Sequence, residues 1–174
     1  MRTLFWLILA AALGLYAVML VWSIPMISSA AGGQPIFDMR PAGYDFEAAR
    51  SFLSALTPEG RRLYLGLQHR LDSVYPPLVA LAIGWASVRL APPSWRRAWP
   101  VLVAPAALAA IFDLLENAAV TGLLTAPLDT MTPAAVARAS HFSQLKTGFT
   151  VLSLTLLLGL LVLWAIRRPW LRHN

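Results

Sequence analysis

The chain contains no cysteine, a single lysine and few acidic residues. The absence of cysteine excludes cysteine-ligated metal centres and haem attachment through thiols. The sequence also lacks a glycine-rich phosphate loop, an HExxH metal motif and a GxSxG nucleophile motif. Because no motif indicates a cofactor or a metal ion, we predict that the protein carries neither.

Hydrophobic residues, by contrast, make up 58% of the 174 residues, and charged residues only 13%. A soluble domain of this size has too small a core to bury so much apolar surface, so lipid is the expected solvent for much of the chain. Four apolar runs approach or exceed the roughly 20 residues that a bilayer crossing requires. They cover residues 4–27, 71–90, 98–124 and 143–166. The sequence therefore predicts an all-α fold, an integral membrane four-helix bundle in which residues 1–174 form one transmembrane domain.

Arginines next to the predicted spans indicate the orientation of the chain. The second loop and the C-terminal tail contain no acidic residue, and their arginines are Arg89, Arg96, Arg97, Arg167, Arg168 and Arg172. The positive-inside rule then places both termini in the cytoplasm and the first loop outside. The first apolar run is longer than the roughly 7–15 residues of a secretory signal core, so we expect it to remain as an anchor.

The excess of basic residues, 14 against 8 acidic ones, has a local explanation, because most of the arginines flank spans. Nucleic-acid binding would instead require a basic cluster on an exposed face with aromatic or helical context. We therefore predict membrane lipids as partners and no nucleic acid. A homo-oligomer and a membrane protein partner are both left open.

The first loop, residues 28–70, is too long for a plain connector, so we expect it to have structure. Apolar residues recur at helical spacing after Asp45, which suits the N-cap position. A second helix start follows at Thr57 and Pro58, and no breaker separates it from the second span. The sequence predicts a structured helical extracytoplasmic loop whose first helix lies on the membrane or over the bundle.

Polar side chains interrupt three of the four predicted spans at a similar depth. Asp113, Glu116 and Asn117 share one face of the third helix, while Asp72 opens the second span and Lys146 the fourth. A charge at mid-membrane costs about 2.5–3.5 kcal/mol on the insertion scale, so these groups should face inward and be paired or protonated. The predicted binding residues are Asp72, Tyr75, Asp113, Glu116, Asn117, Lys146 and Thr147, with His69, His141, Tyr44 and Arg61 as secondary candidates.

Lys146 is the only lysine in the chain, and we expect three acids, Asp72, Asp113 and Glu116, beside it. An ion pair that joins two helices is the simplest role for these side chains. One acid is sufficient to neutralise one lysine, so the surplus acids indicate a bound proton or a cationic group. With the two nearby histidines the acids also suggest a metal site, but their spacing matches no metal motif and we expect none.

A series of short motifs, GYD, GRxxY, DxxYP, DxxEN and a late lysine, resembles the pattern of small four-span integral membrane proteins of bacteria. The resemblance covers most of the chain from Asp38 to Lys146. It implies a bacterial source, and hence the inner (plasma) membrane, but no activity. The residues that carry the resemblance are Gly43, Tyr44, Asp45, Gly60, Arg61, Tyr64, Asp72, Pro76, Asp113, Glu116, Asn117 and Lys146.

Three functions agree with this sequence. The first is a multi-pass membrane protein with an outward-facing buried polar pocket that binds or moves a lipid-like amphiphile or a small cation. The second is a membrane-embedded enzyme that acts on a lipid-like substrate by carboxylate acid/base chemistry. The third is a structural or assembly subunit in which the polar side chains only hold the helices together. Whether the protein is an enzyme stays open at this point.

Overall fold

Helices form almost the whole of the part of the chain that the structure, a computed structural model, describes: residues 2–167, apart from the side chain of Arg96. The five helices are α1 (Arg2–Ala30), α2 (Phe46–Ala55), α3 (Pro58–Leu90), α4 (Trp99–Thr125) and α5 (Pro133–Arg167). Short 3₁₀ turns at Phe37–Met39, Pro93–Ala98 and Leu128–Thr130 connect them. Within residues 2–167 there is no strand, and the all-α prediction is confirmed. The predicted basic tail residues Arg168 and Arg172 lie outside the described residues.

Four of these helices, α1, α3, α4 and α5, are long and apolar enough to cross a membrane, with mean hydropathy from 1.3 to 2.5. Their outward surfaces are covered by large apolar side chains, such as Leu7 and Val101, which are 62% and 71% exposed. Monomeric soluble proteins rarely expose contiguous apolar patches larger than a few hundred Å². The helix surfaces therefore have the composition of a bundle surrounded by lipid.

The helices α3 and α5 begin well before the apolar runs that predicted them, because capping residues start them in polar sequence. Thr57 accepts a hydrogen bond from the Gly60 N–H at 3.2 Å, and Thr132 accepts one from the Ala135 N–H at 3.2 Å. The predicted start at Thr57 and its continuation into the span are confirmed. The first connection therefore runs only from residue 31 to residue 57.

This first connection, residues 31–57, forms a cap over one end of the bundle, which we call the loop end. Asp45 accepts a hydrogen bond from the Ala48 N–H at 2.8 Å and starts α2, as predicted. Phe37 and Phe52 are fully buried in an apolar core that the cap shares with the ends of α1, α3, α4 and α5. Helix α2 thus lies over the bundle, which is one of the two predicted locations.

Two helices contain a stretch of π-helix, Met19–Ser23 in α1 and Tyr64–Gln68 in α3. The Ser23 hydroxyl donates a hydrogen bond to Gln68 Oε1 at 2.5 Å, so the two stretches are joined by their last side chains. A π-turn inserts an extra residue into the helical register and re-aims the side chains around it, and such turns are frequent at functional sites. In α3 the π-helical stretch turns Gln68 toward the interior of the bundle, where the residue is fully buried.

Candidate functional site

The centre of the site is an ion-paired group of three side chains, Asp113, Glu116 and Lys146, which we call the ionic centre. Lys146 Nζ lies 2.5 Å from Glu116 Oε2 and 3.2 Å from Asp113 Oδ1. Asp113 and Glu116 are one turn apart on α4, and Lys146 reaches them from α5. The Ser143 hydroxyl, one turn before Lys146, donates a short hydrogen bond to Glu116 Oε1. Glu116 has no exposed surface. The structure thus brings Lys146 together with Asp113 and Glu116, two of the three acids that the sequence predicted beside it.

Asp72 belongs to a second polar group on the α1 side of the bundle. Gln68 Nε2 donates a hydrogen bond to Asp72 Oδ2 at 2.7 Å, and Ser23 holds the other end of the Gln68 amide. Asp72 is 7% exposed and makes no ion pair with Lys146. Sequence reasoning did not find Gln68, whose inward position depends on the π-helical stretch.

Asn117 connects α4 to the backbone of α3 at a place where a proline has removed a helical hydrogen bond. The carbonyl of Asp72 would normally accept from the N–H four residues later, but Pro76 has none. Asn117 Nδ2 donates to this carbonyl at 3.3 Å instead. The role of Asn117 in the structure is therefore to satisfy buried backbone between two helices.

The cap supplies a fourth acid, Asp38, which was not among the predicted site residues. Its Oδ2 accepts a hydrogen bond from the Tyr64 hydroxyl at 2.5 Å, while its Oδ1 is buried and has no hydrogen-bond partner among residues 2–167. Asp38 is also close enough to interact electrostatically with Asp72 and with all three members of the ionic centre. Helical periodicity could not predict this role for Asp38, because Asp38 lies in a 3₁₀ turn and not in a span.

Tyr44 covers the ionic centre from the loop end. The Tyr44 N–H donates to Ser140 Oγ at 2.8 Å, and Gln144 Nε2 donates to the Ala42 carbonyl at 2.9 Å, so α5 holds the cap in place. The Tyr44 hydroxyl is buried beside Ser143 and has no hydrogen bond of ordinary geometry to any residue that the structure describes. Burial, and then the negative charge of Glu116, raises the pKa of the Tyr44 phenol, so the group is neutral at physiological pH.

Gly43 makes this attachment geometrically feasible. Its φ is +84°, a left-handed conformation, and a Cβ at this position would lie 2.5 Å from Ser140 Oγ and 2.7 Å from Gln144 Nε2. Only glycine combines the left-handed backbone with such a close approach at little cost. The glycine of the GYD motif therefore sets how tightly Tyr44 is held against α5.

We expect Gly43→Ala to destabilise the cap more than Gly33→Ala, which is its matched control. Gly33 has nearly the same φ, +83°, but nothing lies within 4 Å of the position of a Cβ. Both variants have the left-handed backbone cost of about 1–2 kcal/mol, and only Gly43→Ala also displaces Ser140 and Gln144. Thermal unfolding in detergent measures the difference. Equal losses in the two variants would show that the contact of the cap with α5 does not depend on Gly43.

A cavity of about 80 Å³ begins at Asp113 and extends away from the loop end, between α3, α4 and α5. Its polar wall is formed by Tyr75, Asp113, Thr150 and Ser153, and the rest of the wall is apolar. A water needs roughly 10–15 Å³ of such volume and two or more polar partners. The cavity therefore has room for several water molecules in contact with Asp113.

The other predicted site residues lie around this centre without joining it. His69 Nδ1 is 3.5 Å from the Thr121 hydroxyl, the Thr147 hydroxyl donates to its own helix at the Ser143 carbonyl, and His141 is exposed. The Arg61 guanidinium donates a short hydrogen bond to the Leu124 carbonyl, at the C-terminal end of α4. A cation is favourable there because of the helix dipole, so Arg61 caps a helix in this structure.

Among residues 2–167 the structure shows no group of three or more histidine, cysteine or acidic side chains arranged to hold a metal ion. The fold and the site together define a small all-α bundle, with four helices suited to a membrane and a buried ionic centre beneath a structured cap. No protein-family model, curated protein or solved structure matches the chain.

Proposed function

We propose that the protein is an integral membrane protein that binds a small cation, with the proton as the smallest candidate, at the carboxylates around Lys146. The observation that carries the proposal is the surplus of acids around Lys146. Four carboxylates, those of Asp38, Asp72, Asp113 and Glu116, lie within electrostatic reach of one lysine.

The charge balance of this group argues against four ionised carboxylates with one lysine alone. A further cation, Arg40, lies in the cap, where its guanidinium is 5.6–5.8 Å from the ring centroids of Phe37, Tyr44 and Phe52 and donates to the Pro35 carbonyl. Even with Arg40 counted, two of the four acids lack a counter-charge. Uncompensated charges inside a bundle are expensive, so such acids bind protons or cations.

The space beside Asp113 favours a small ligand. A cavity of about 80 Å³ accommodates water and a monatomic cation, whereas pockets for drug-sized molecules are typically about 300–1,000 Å³. Hydroxyl-bearing side chains in the cavity wall supply oxygen atoms, which hard cations prefer. The ionic centre itself is filled by its own side chains, so a ligand would enter from the cavity side.

We also propose the location and orientation. The arginine-rich segments between α3 and α4 and after α5 face the cytoplasm of a bacterial inner membrane, and the loop end faces outward. The motif resemblance to four-span bacterial proteins supports the source. Membrane lipids are the proposed surroundings, with a second copy or a membrane protein as a further partner.

Two measurements on the purified protein in lipid nanodiscs test the proposal: infrared spectroscopy of the carboxyl groups, and thermal unfolding with added salts. We expect either a protonated-carboxyl band at neutral pH or thermal stability that rises with added Na⁺ or K⁺. Single substitutions Asp72→Asn, Asp113→Asn and Glu116→Gln should reduce that signal, since each removes one interior carboxylate. The matched controls are Asp129→Asn and Glu47→Gln, which remove exposed acids.

The two forms of cation binding give different results. A carboxyl band that a substitution removes indicates a bound proton, and cation-dependent stability that a substitution abolishes indicates a metal ion. If the wild type shows neither, the polar group only joins helices and the proposal is wrong. Choline chloride at the same ionic strength separates cation binding from screening.

A further inference from the structure

A long apolar groove runs along the outer surface of the bundle between α3 and α4, away from the ionic centre. Its volume is about 760 Å³. Helix α3 contributes Pro77, Gly84 and Arg89, and helix α4 contributes Val103, Ala107 and Leu114. The groove is open to the side where lipid surrounds the helices, and nothing in residues 2–167 covers it.

The length of the groove corresponds to one leaflet of a bilayer. From Pro77 to Arg89 a helix rises roughly 18 Å at about 1.5 Å per residue. Half of a hydrocarbon core about 30 Å thick is roughly 15 Å. One acyl chain of a lipid whose headgroup lies at the arginine-rich end would therefore fill the groove up to the level of Leu114.

The end of the groove carries the positive charge of Arg89. Arg89 is exposed, and among the described residues it forms no ion pair. Between Ser73 and Phe112 the sequence contains no acidic residue at all, so no carboxylate of this stretch competes for the guanidinium. Trp85, also in the groove wall, lies one turn deeper, and indole rings favour the headgroup level of a membrane.

From this geometry we propose that the groove binds one anionic glycerophospholipid, with an acyl chain between α3 and α4 and the phosphate on Arg89. A guanidinium forms bidentate hydrogen bonds with phosphate, and basic residues near the membrane surface attract anionic lipids. The bound chain also covers the small side chains of Ala80 and Ala110, which border both the groove and the internal cavity. The lipid would thereby seal the polar cavity from the bilayer.

Native mass spectrometry of the protein released from nanodiscs of mixed phosphatidylglycerol and phosphatidylcholine tests this proposal. We expect the wild type to retain one phosphatidylglycerol in preference to phosphatidylcholine. Arg89→Gln should lower that preference about fivefold, the factor that corresponds to about 1 kcal/mol for one arginine near an anionic surface. Ala107→Leu should lower retention of both lipids, because its side chain fills the groove.

The controls are Arg70→Gln, an exposed arginine at the loop end, and Ala118→Leu, an exposed alanine of α4 outside the groove. Both should retain lipid as the wild type does. Equal retention of the two lipids by the wild type, or no effect of Arg89→Gln, overturns the anionic-lipid site. A dimer that Ala107→Leu abolishes, without bound lipid, assigns the groove to a second copy and also overturns it. Asp113→Asn and Glu116→Gln should keep the lipid, so this test is independent of cation binding.

Discussion

Lys146→Met is expected to lower the free energy of unfolding by about 3–5 kcal/mol, the range observed when one partner of a buried ion pair is removed. The substitution leaves Glu116, which has no exposed surface, without its cation. Asp113 loses its partner at the same time. Denaturation of the protein in detergent, followed by circular dichroism, measures the loss.

Arg62→Met is the matched control for this substitution. Arg62 pairs with Glu59 at 2.8 Å, but both side chains are about three-quarters exposed, 75% and 73%. Such exposed pairs contribute about 0–1 kcal/mol. The triple variant Lys146→Met, Asp113→Asn, Glu116→Gln should regain much of the stability, because the ionic centre then contains no unpaired charge. A loss for Lys146→Met no larger than that for Arg62→Met would contradict a buried ionic centre.

Asn117→Leu is expected to cost about 1–3 kcal/mol, the penalty for leaving a buried backbone carbonyl without a hydrogen bond. The carbonyl is that of Asp72, which has no helical donor because residue 76 is a proline and has no N–H. Because the side chains are similar in size, the variant removes the amide and changes the packing little. Thermal unfolding of the single variant gives the cost.

A double-mutant cycle identifies the cause. Pro76→Ala restores an N–H to the helix, so Asn117→Leu should cost far less in that background, with a coupling of about 0.5–3 kcal/mol. Pro77→Ala is the matched control, since its restored N–H would face the Ser73 carbonyl, to which Asn117 does not donate. If Asn117→Leu costs the same in both proline backgrounds, the amide does not replace the missing helical bond.

Much of the architecture follows from local sequence signals. Apolar runs of bilayer length predict the four long helices, and the caps Asp45 and Thr57 predict where two helices begin. These signals act within one or two turns of chain, so a single sequence contains them in full. The depth of a residue in a span also follows from its position in the sequence, because the helical rise per residue is constant. The acids and Lys146 were therefore predicted at one level.

Contacts between residues that are distant in sequence could not be predicted from these local signals. Gln68 turns inward only because of a π-helical stretch. Asp38 reaches the site only because the cap folds back over the bundle. Arg61, a predicted site residue, donates to the Leu124 carbonyl near the end of α4. In each case the partner is distant in sequence, and its approach depends on packing.

The sequence by itself determined that ionisable groups of several spans must meet, because charges in lipid are costly and a helix presents its side chains at fixed spacing. Only the tertiary structure decided how the acids divide, with Asp113 and Glu116 on Lys146 and Asp72 on Gln68. Helical spacing fixes the depth and the face of a side chain, but the rotation of each helix against its neighbours is set by packing. That rotation selects the partners.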